Sequence, residues 1–289
     1  MLHHIITNFV RMNNKTLYQD EASNSIRVSE ISRFSGEVSF SNVAAKFVIK
    51  GEETYIIDNK KFLVKQGEYI IGSNNKLSEV LIKDQAVGLC IDISNDIITE
   101  ILETLFDNPD LNEFLLTDRF LINKYHSEHT NLGVKLNQLS RTLWSQNKAD
   151  FLSTELFYSI GEHIVHDQAV VFDQLSKLNY KKQSVSEDVF RNLLNAKYYI
   201  DDSFLDPINL DDLVGVAFIS KYAFIRLFKI TFGITPYHYI IQKRLNYAKH
   251  QILKGERVID VAFATNFADT ASFSKAFKAY HGISPSKLK

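Results

Sequence analysis

Two kinds of side chain occur here in types and spacings that could do chemistry. Glu162, His163, His166 and Asp167 fall within one short stretch, and imidazole and carboxylate groups on neighbouring helical turns can hold a divalent metal. A solvated helix face needs the same residue types and fits better, so no metal is expected there. Cys90 is the single cysteine. It sits in the apolar run Val87-Gly-Leu-Cys-Ile91 and reads as core, not nucleophile. One cysteine also rules out an intramolecular disulfide, which suits a reducing compartment. No phosphate loop, nucleophile elbow or zinc-spaced cluster is present. The expectation is a protein that is not an enzyme and needs no cofactor.

The second kind is cationic. Residues 207–289 carry 12 Lys/Arg against 5 Asp/Glu, a charge of +7, while the remainder of the chain is −8. The overall value of −1 conceals this asymmetry. A basic module on an acidic body suits a polyanionic partner.

The elements that position these cations are written twice, 49 residues apart. Phe224, Arg226, Phe228-Lys229 and Gly233-Ile-Thr-Pro236 align with Phe273, Lys275, Phe277-Lys278 and Gly282-Ile-Ser-Pro285. Two copies of one supersecondary unit follow, each read as helix, turn, helix. In the first, Asn209 caps a short helix to about Val216, and Ser220 opens a second that stops at Gly233. In the second, a helix over about 258–265 meets Asn266 at a turn that wants left-handed backbone. Asp269 or Thr270 then caps the last helix. The spacing turns Phe224, Leu227, Phe228, Phe273, Ala276 and Phe277 inward. A connector helix over about 236–254 has Ile240, Leu245, Ala248 and Ile252 for its buried side and Gly255 for its stop. Two such units serve a protein-binding hairpin as well as a DNA-binding one, and periodicity leaves both open.

The length of 289 residues suggests two domains. From about Ile26 to Ile93, short runs rich in Val, Ile, Phe and Tyr alternate with turns such as Asp58-Asn59-Lys60 and Gln66-Gly67-Glu68, the pattern of a β sandwich or small barrel. The pattern becomes helical from about Asn95, with a stripe of Ile97, Ile98, Ile101, Leu102 and Leu105. Helices follow near 129–145 and 150–174. Their apolar positions Leu132, Leu136, Leu139, Leu143, Leu152, Leu156 and Ile160 suit a homodimer interface and internal packing equally. The expected division is a sensor or dimerisation domain over 1–175, a linker over 176–186 and a helical domain over 187–289, an α+β chain overall. No apolar run is long enough to span a membrane, and residues 1–11 lack a secretory leader, so a cytoplasmic protein is expected.

The ordered set Ser220-Lys-Tyr-Ala-Phe-Ile-Arg-Leu-Phe-Lys229, Gly233-Ile-Thr-Pro236, Arg244-Leu245, Ala248, Asp260-Val-Ala262, Asn266-Phe267, Ser272-Phe273-Ser-Lys-Ala-Phe-Lys278 and Gly282-Ile-Ser-Pro285 resembles the DNA-binding domain of the AraC/XylS family. It covers nearly all of residues 207–289. Two positions depart from the pattern: Asn266 stands for the usual glycine of the second turn, and Val214 for a usual small alanine. The strand pattern and the Gly51 to Gln66-Gly67-Glu68 spacing resemble that family's cupin-like jelly roll, which some metalloenzymes share. The absence of His between His4 and His126 removes the usual metal set of such an enzyme.

The resemblance implies a bacterial transcriptional regulator, commonly an activator, that binds double-stranded DNA and answers to a small-molecule effector or to self-association, with RNA polymerase as a further partner. It places the second helix of each unit in successive major grooves, roughly 34 Å apart. By position, Tyr222, Ile225 and Arg226 reach bases from the first unit, with Arg226 suited to guanine and Ile225 to a thymine methyl. Burial against the connector is the other reading of Ile225. Thr270, Ala271, Ser272, Ser274 and Lys275 take the equivalent places in the second unit. That set is small and weakly polar, and is expected to hold the backbone more than to read bases. Lys221, Lys229 and Lys278 are phosphate contacts or solvated cations.

Overall fold

The computed structural model describes residues 11–40, 42–73, 76–146 and 152–288. Residues 1–10 of the stretch read for a leader, and the expected helix start at Asp150, lie outside the described residues. The chain folds as two compact units, Met1–Phe172 and Asp173–Lys289.

The first unit is built on an eight-stranded antiparallel sheet. Its strands are β1 (Arg11–Gln19), β2 (Ser25–Phe40), β3 (Val43–Lys50), β4 (Glu52–Ile57), β5 (Lys60–Lys65), β6 (Glu68–Gly72) and β7 (Lys76–Ile93). Helices α1 (Asn95–Leu105) and α2 (Pro109–Leu116) come next, then β8 (Asn123–His126). The strands pair antiparallel in the order β1-β2-β7-β3-β6-β8, with β4 bridging β5 and β7. The long strands β2 and β7 pair from Ser25–Asp92 to Phe40–Lys76, with a bulge where Arg33 takes φ 56°. Along its other edge β7 changes partner: Cys90 lies opposite Lys46 of β3, and Val80 opposite Tyr55 of β4.

Asp58 and Asn59 at φ 49° and 62° make the tight turn between β4 and β5, the positive-φ pair that matches strand twist. The sheet extends beyond the strand pattern expected over 26–93: β1 precedes it, and β8 stands where a helical region is expected. Neither strand alternates cleanly in sequence; β8 is placed by pairing with β6, from Glu68–His126 to Ile71–Asn123.

On α1 the expected stripe is buried at Ile97, Ile98, Ile101 and Leu102, whereas Leu105 is exposed. Helices α3 (Asn131–Gln146) and α4 (Thr154–Ser176) carry the middle region. Leu132, Leu136 and Ile160 are wholly buried, Leu139 and Leu152 nearly so, and Leu143 and Leu156 half-buried. Three of the four metal-type residues have structural partners. His163 Nδ1 lies 2.6 Å from the Ser159 carbonyl, and the His166 ring packs on Phe106 with centroids 5.4 Å apart. Asp167 accepts the Asn131 and Leu132 backbone N–H groups at 3.3 and 2.8 Å, capping α3.

In the second unit, α5 (Gln183–Ser203) starts inside the segment expected as linker and ends before Pro207. Then come α6 (Leu210–Ala217), α7 (Lys221–Phe232), α8 (Pro236–Leu253), α9 (Val258–Ala264) and α10 (Thr270–His281).

Candidate nucleic-acid interface

Each helix-turn-helix is assembled from local signals. Asn209 and Asp212 form a reciprocal capping box on α6, at 3.0 and 2.9 Å. Ser220 stands at the N-cap of α7, but its side chain makes no capping bond. Asp269 caps α10 by accepting the Ser272 N–H at 2.6 Å. Gly233 and Gly282 end α7 and α10 in matching left-handed conformations, φ 76° and 74°, which glycine adopts without a Cβ penalty.

Each second helix is anchored by an aromatic pair. Phe224 and Phe228 of α7 are fully buried with centroids 5.5 Å apart; Phe273 and Phe277 of α10 repeat this at 5.5 Å. The connector α8 begins with Thr235 as N-cap and Pro236 in its first turn. It buries Ile240, Leu245, Ala248 and Ile252 as expected. The last three join Val261, Ala262, Phe273 and Phe277 in one core, so α10 rests directly on the connector. His281 Nε2 lies 3.1 Å from the Leu245 carbonyl and adds a polar tie.

Two buried charges that the sequence does not announce fix α8 against α5. Arg244 donates through Nε to the Phe204 carbonyl at 2.7 Å and through Nη2 to the Asp206 carbonyl at 2.8 Å. It thereby satisfies carbonyls just past the end of α5. Asp201, buried on α5, receives Lys197 at 3.0 Å, Lys243 at 2.9 Å and the Tyr239 hydroxyl at 2.7 Å. Burial opposes ionisation of its carboxyl, but Lys197, Tyr239 and Lys243 outweigh this and hold it below the ordinary carboxylate range. The same contact pushes the Tyr239 hydroxyl well above its usual value, by burial first and by the Asp201 charge second. The spacing of Arg244 along α8 is the only signal in the sequence, since it falls beside buried Leu245.

The outward residues stand where the spacing puts them. Lys221, Tyr222, Ile225, Arg226 and Lys229 are exposed on α7, with Tyr222 at 80% and Ile225 at 39%. Ile225 is therefore not buried against the connector. On α10, Ala271, Ser272, Lys275 and Lys278 are exposed, and Thr270 and Ser274 are half-buried. The Ser272 hydroxyl donates to the Asp269 carbonyl at 2.9 Å, so its proton is engaged within the chain. Lys221 pairs with Asp211 of α6 at 2.6 Å. Among the described residues Arg226, Lys229, Lys275 and Lys278 have no ion-pair partner. These cations on the two second helices thus face outward uncompensated, the arrangement a polyanion would neutralise.

Residues 213–289 match the family described as "Helix-turn-helix domain". The chain is 34% identical over 99 residues to the probable transcriptional regulator LumQ of Photobacterium leiognathi, covering 34% of this chain and 40% of LumQ. It is 24% identical over 230 residues to the uncharacterized HTH-type transcriptional regulator YbfI of Bacillus subtilis, covering 77% and 75% of the two chains. It is 26% identical over 191 residues to the HTH-type transcriptional activator RhaS of Escherichia coli, covering 64% and 67%. The match to LumQ thus spans less than half of that protein.

Proposed function

We propose that this chain, whose C-terminal unit is an AraC-type double helix-turn-helix domain, is a sequence-specific DNA-binding transcriptional regulator. The observation that carries the reading is the pair of second helices, α7 and α10, packed on one connector with Arg226, Lys229, Lys275 and Lys278 outward and unpaired. Phosphate contacts position such a domain, and base-edge contacts specify its site. Arg226 is assigned bidentate reading of guanine, with Tyr222 and Ile225 as neighbouring base contacts. Thr270, Ala271, Ser272, Ser274 and Lys275 form the second contact set, weighted toward the backbone. Lys229 and Lys278, in the last turns of their helices, are assigned to phosphates, and Lys221 joins them only by releasing Asp211.

The sheet unit is assigned to small-molecule sensing or self-association, and the regulator to activation in the cytoplasm, with RNA polymerase as the downstream partner. RhaS, named as an activator, supports this by similarity. Among the described residues no helix is long and apolar enough to cross a membrane.

Selection of random-sequence DNA by the full chain tests the function. The expected result is a motif with two elements centred about 10 base pairs apart. Recovery of no preferred sequence, with affinity set by salt alone, would overturn it.

A further inference from the structure

The two helix-turn-helix units are joined through the connector. Phe228 of α7 meets Tyr239 of α8 with centroids 6.1 Å apart, and α10 rests on Leu245, Ala248 and Ile252 further along the same helix. Apolar packing is non-directional, so it holds α10 on the connector more firmly than it fixes the turn of α10 about it. A second link bypasses the connector. Asn266, in the turn before α10, donates through Nδ2 to the carbonyl of Leu205, 61 residues away. Leu205 lies between α5 and α6, beside the first unit. Its segment is itself held. The Asp206 N–H donates to the Ser203 carbonyl at 2.8 Å, and Arg244 takes the carbonyls on either side of Leu205, those of Phe204 and Asp206. The second turn is therefore fastened to a fixed point next to the first unit.

The tie acts at the end of α10 that meets a ligand. In a helix-turn-helix unit the N-terminal residues of the second helix reach the base edges, and Asn266 stands three positions before the cap Asp269 of α10. The other end of α10 is held by His281, whose Nε2 lies 3.1 Å from the Leu245 carbonyl. With both ends fixed, α10 has one direction relative to α7. With the tie cut, its N-terminal end is free to swing about the C-terminal anchor. The backbone alone does not call for asparagine, since glycine adopts the φ of 57° at this turn more readily. What asparagine adds there is the side-chain bond.

We propose that Asn266 fixes the separation of the two DNA elements that this chain accepts, as a positioning residue that touches no base. The inference rests on the reading of the chain as a regulator that binds two DNA elements, and it supplies what sets the spacing between them. One added base pair moves the second element by about 3.4 Å along the DNA axis and turns it by about a tenth of a helical turn. A rigid pair of helices cannot follow both displacements, whereas a pair joined through the connector alone can follow part of them.

Selection of random-sequence DNA by the full chain supplies the two elements. Fluorescence anisotropy then reads affinity for duplexes that carry them one base pair closer, at the selected spacing, and one or two base pairs further apart. The wild type is expected to lose about tenfold for one base pair in either direction, the cost of a spoiled base contact. Asn266→Gly keeps the turn and removes the donor, and should lose less than about threefold. Asn266→Asp keeps the size of the side chain and its tolerance of left-handed backbone but offers no donor. It should flatten the profile as well, which separates loss of the bond from the flexibility of glycine. Base preference within each element should be unchanged in both variants. A spacing profile as sharp as that of the wild type in either variant, or a changed base preference, overturns the inference and leaves the regulator. So does a wild type that selects two elements but is indifferent to their spacing, a result that needs neither variant to fold. A wild type that selects no sequence overturns the regulator and the inference together.

Discussion

Phe218 and Asn266 occupy the left-handed region at the turns of the two helix-turn-helix units, with φ 52° and 57°. The similarity ends at the backbone. Asn266 uses its side chain: Nδ2 donates to the Leu205 carbonyl, tying the second turn to the segment between α5 and α6. A glycine there would keep the conformation and lose the tie. Phe218 is 85% exposed, so a bulky side chain holds an unfavourable conformation with little packing to offset it. The turns also differ in length: one residue, Ile219, separates Phe218 from the cap Ser220, and two, Phe267 and Ala268, separate Asn266 from the cap Asp269.

Phe218→Asn should therefore stabilise the protein. Asparagine tolerates the left-handed region, and the gain should be about 1 kcal/mol, or roughly 4 °C in the melting midpoint for a unit of this size. Thermal unfolding followed by circular dichroism reads the shift directly. A lowered midpoint would mean that the phenylalanine packs in solution.

Arg226→Ala and Lys275→Ala should fail differently. Loss of Arg226 should relax the preference at one base position by about 1–3 kcal/mol, and loss of Lys275 should weaken all sequences alike and lower the salt slope by about 1. Fluorescence anisotropy on a set of single-base operator variants at several salt concentrations separates the two. A greater loss of base preference from Lys275→Ala would reverse the assignment.

Arg244→Met should destabilise the second unit without touching the outward face. The Phe204 and Asp206 carbonyls would lose their donor, at about 1–3 kcal/mol for each buried group left unmatched. Urea unfolding should show the loss, while DNA site preference among the folded molecules should be unchanged. Altered preference would place Arg244 in recognition.

Asp201 should make the stability of the second unit sensitive to acid. Its folded pKa is held below the ordinary value of 3.8, so the folded state binds the proton less readily than the unfolded chain. The stabilisation is complete above that value and is lost as pH falls through it. Asp201→Asn should reduce stability at pH 7 by about 1–3 kcal/mol, because the half-buried Lys197 and Lys243 lose their charged acceptor. It should also flatten the acid limb of the stability curve. An unchanged acid limb would show that Lys197 and Lys243 are solvated in the folded protein.

The second unit is legible in the sequence because its signals are local. Helical spacing marks Phe224, Phe228, Phe273 and Phe277 as inward, and Gly233, Gly282 and Asn266 announce their turns, since caps and positive-φ positions depend on residues within four or five of each other. The outward face of α7 and α10 follows from the same arithmetic. The first unit is legible only as strands with turns. Its edges, β1 and β8, carry little alternation and exist because a partner strand supplies the hydrogen bonds.

The sequence by itself determined that two like helical units, basic and outward-facing, are joined by one connector behind a β-rich body. Only the tertiary structure decided which polar residues lie inside. Arg244 meets a carbonyl at a separation of 40 residues, Asp201 meets Tyr239 at a separation of 38, and Lys46 faces a cavity formed where β2, β3, β4 and β7 converge. Their environments depend on strand register and helix packing, because the desolvation and charge that govern a buried group come from whatever the fold brings next to it.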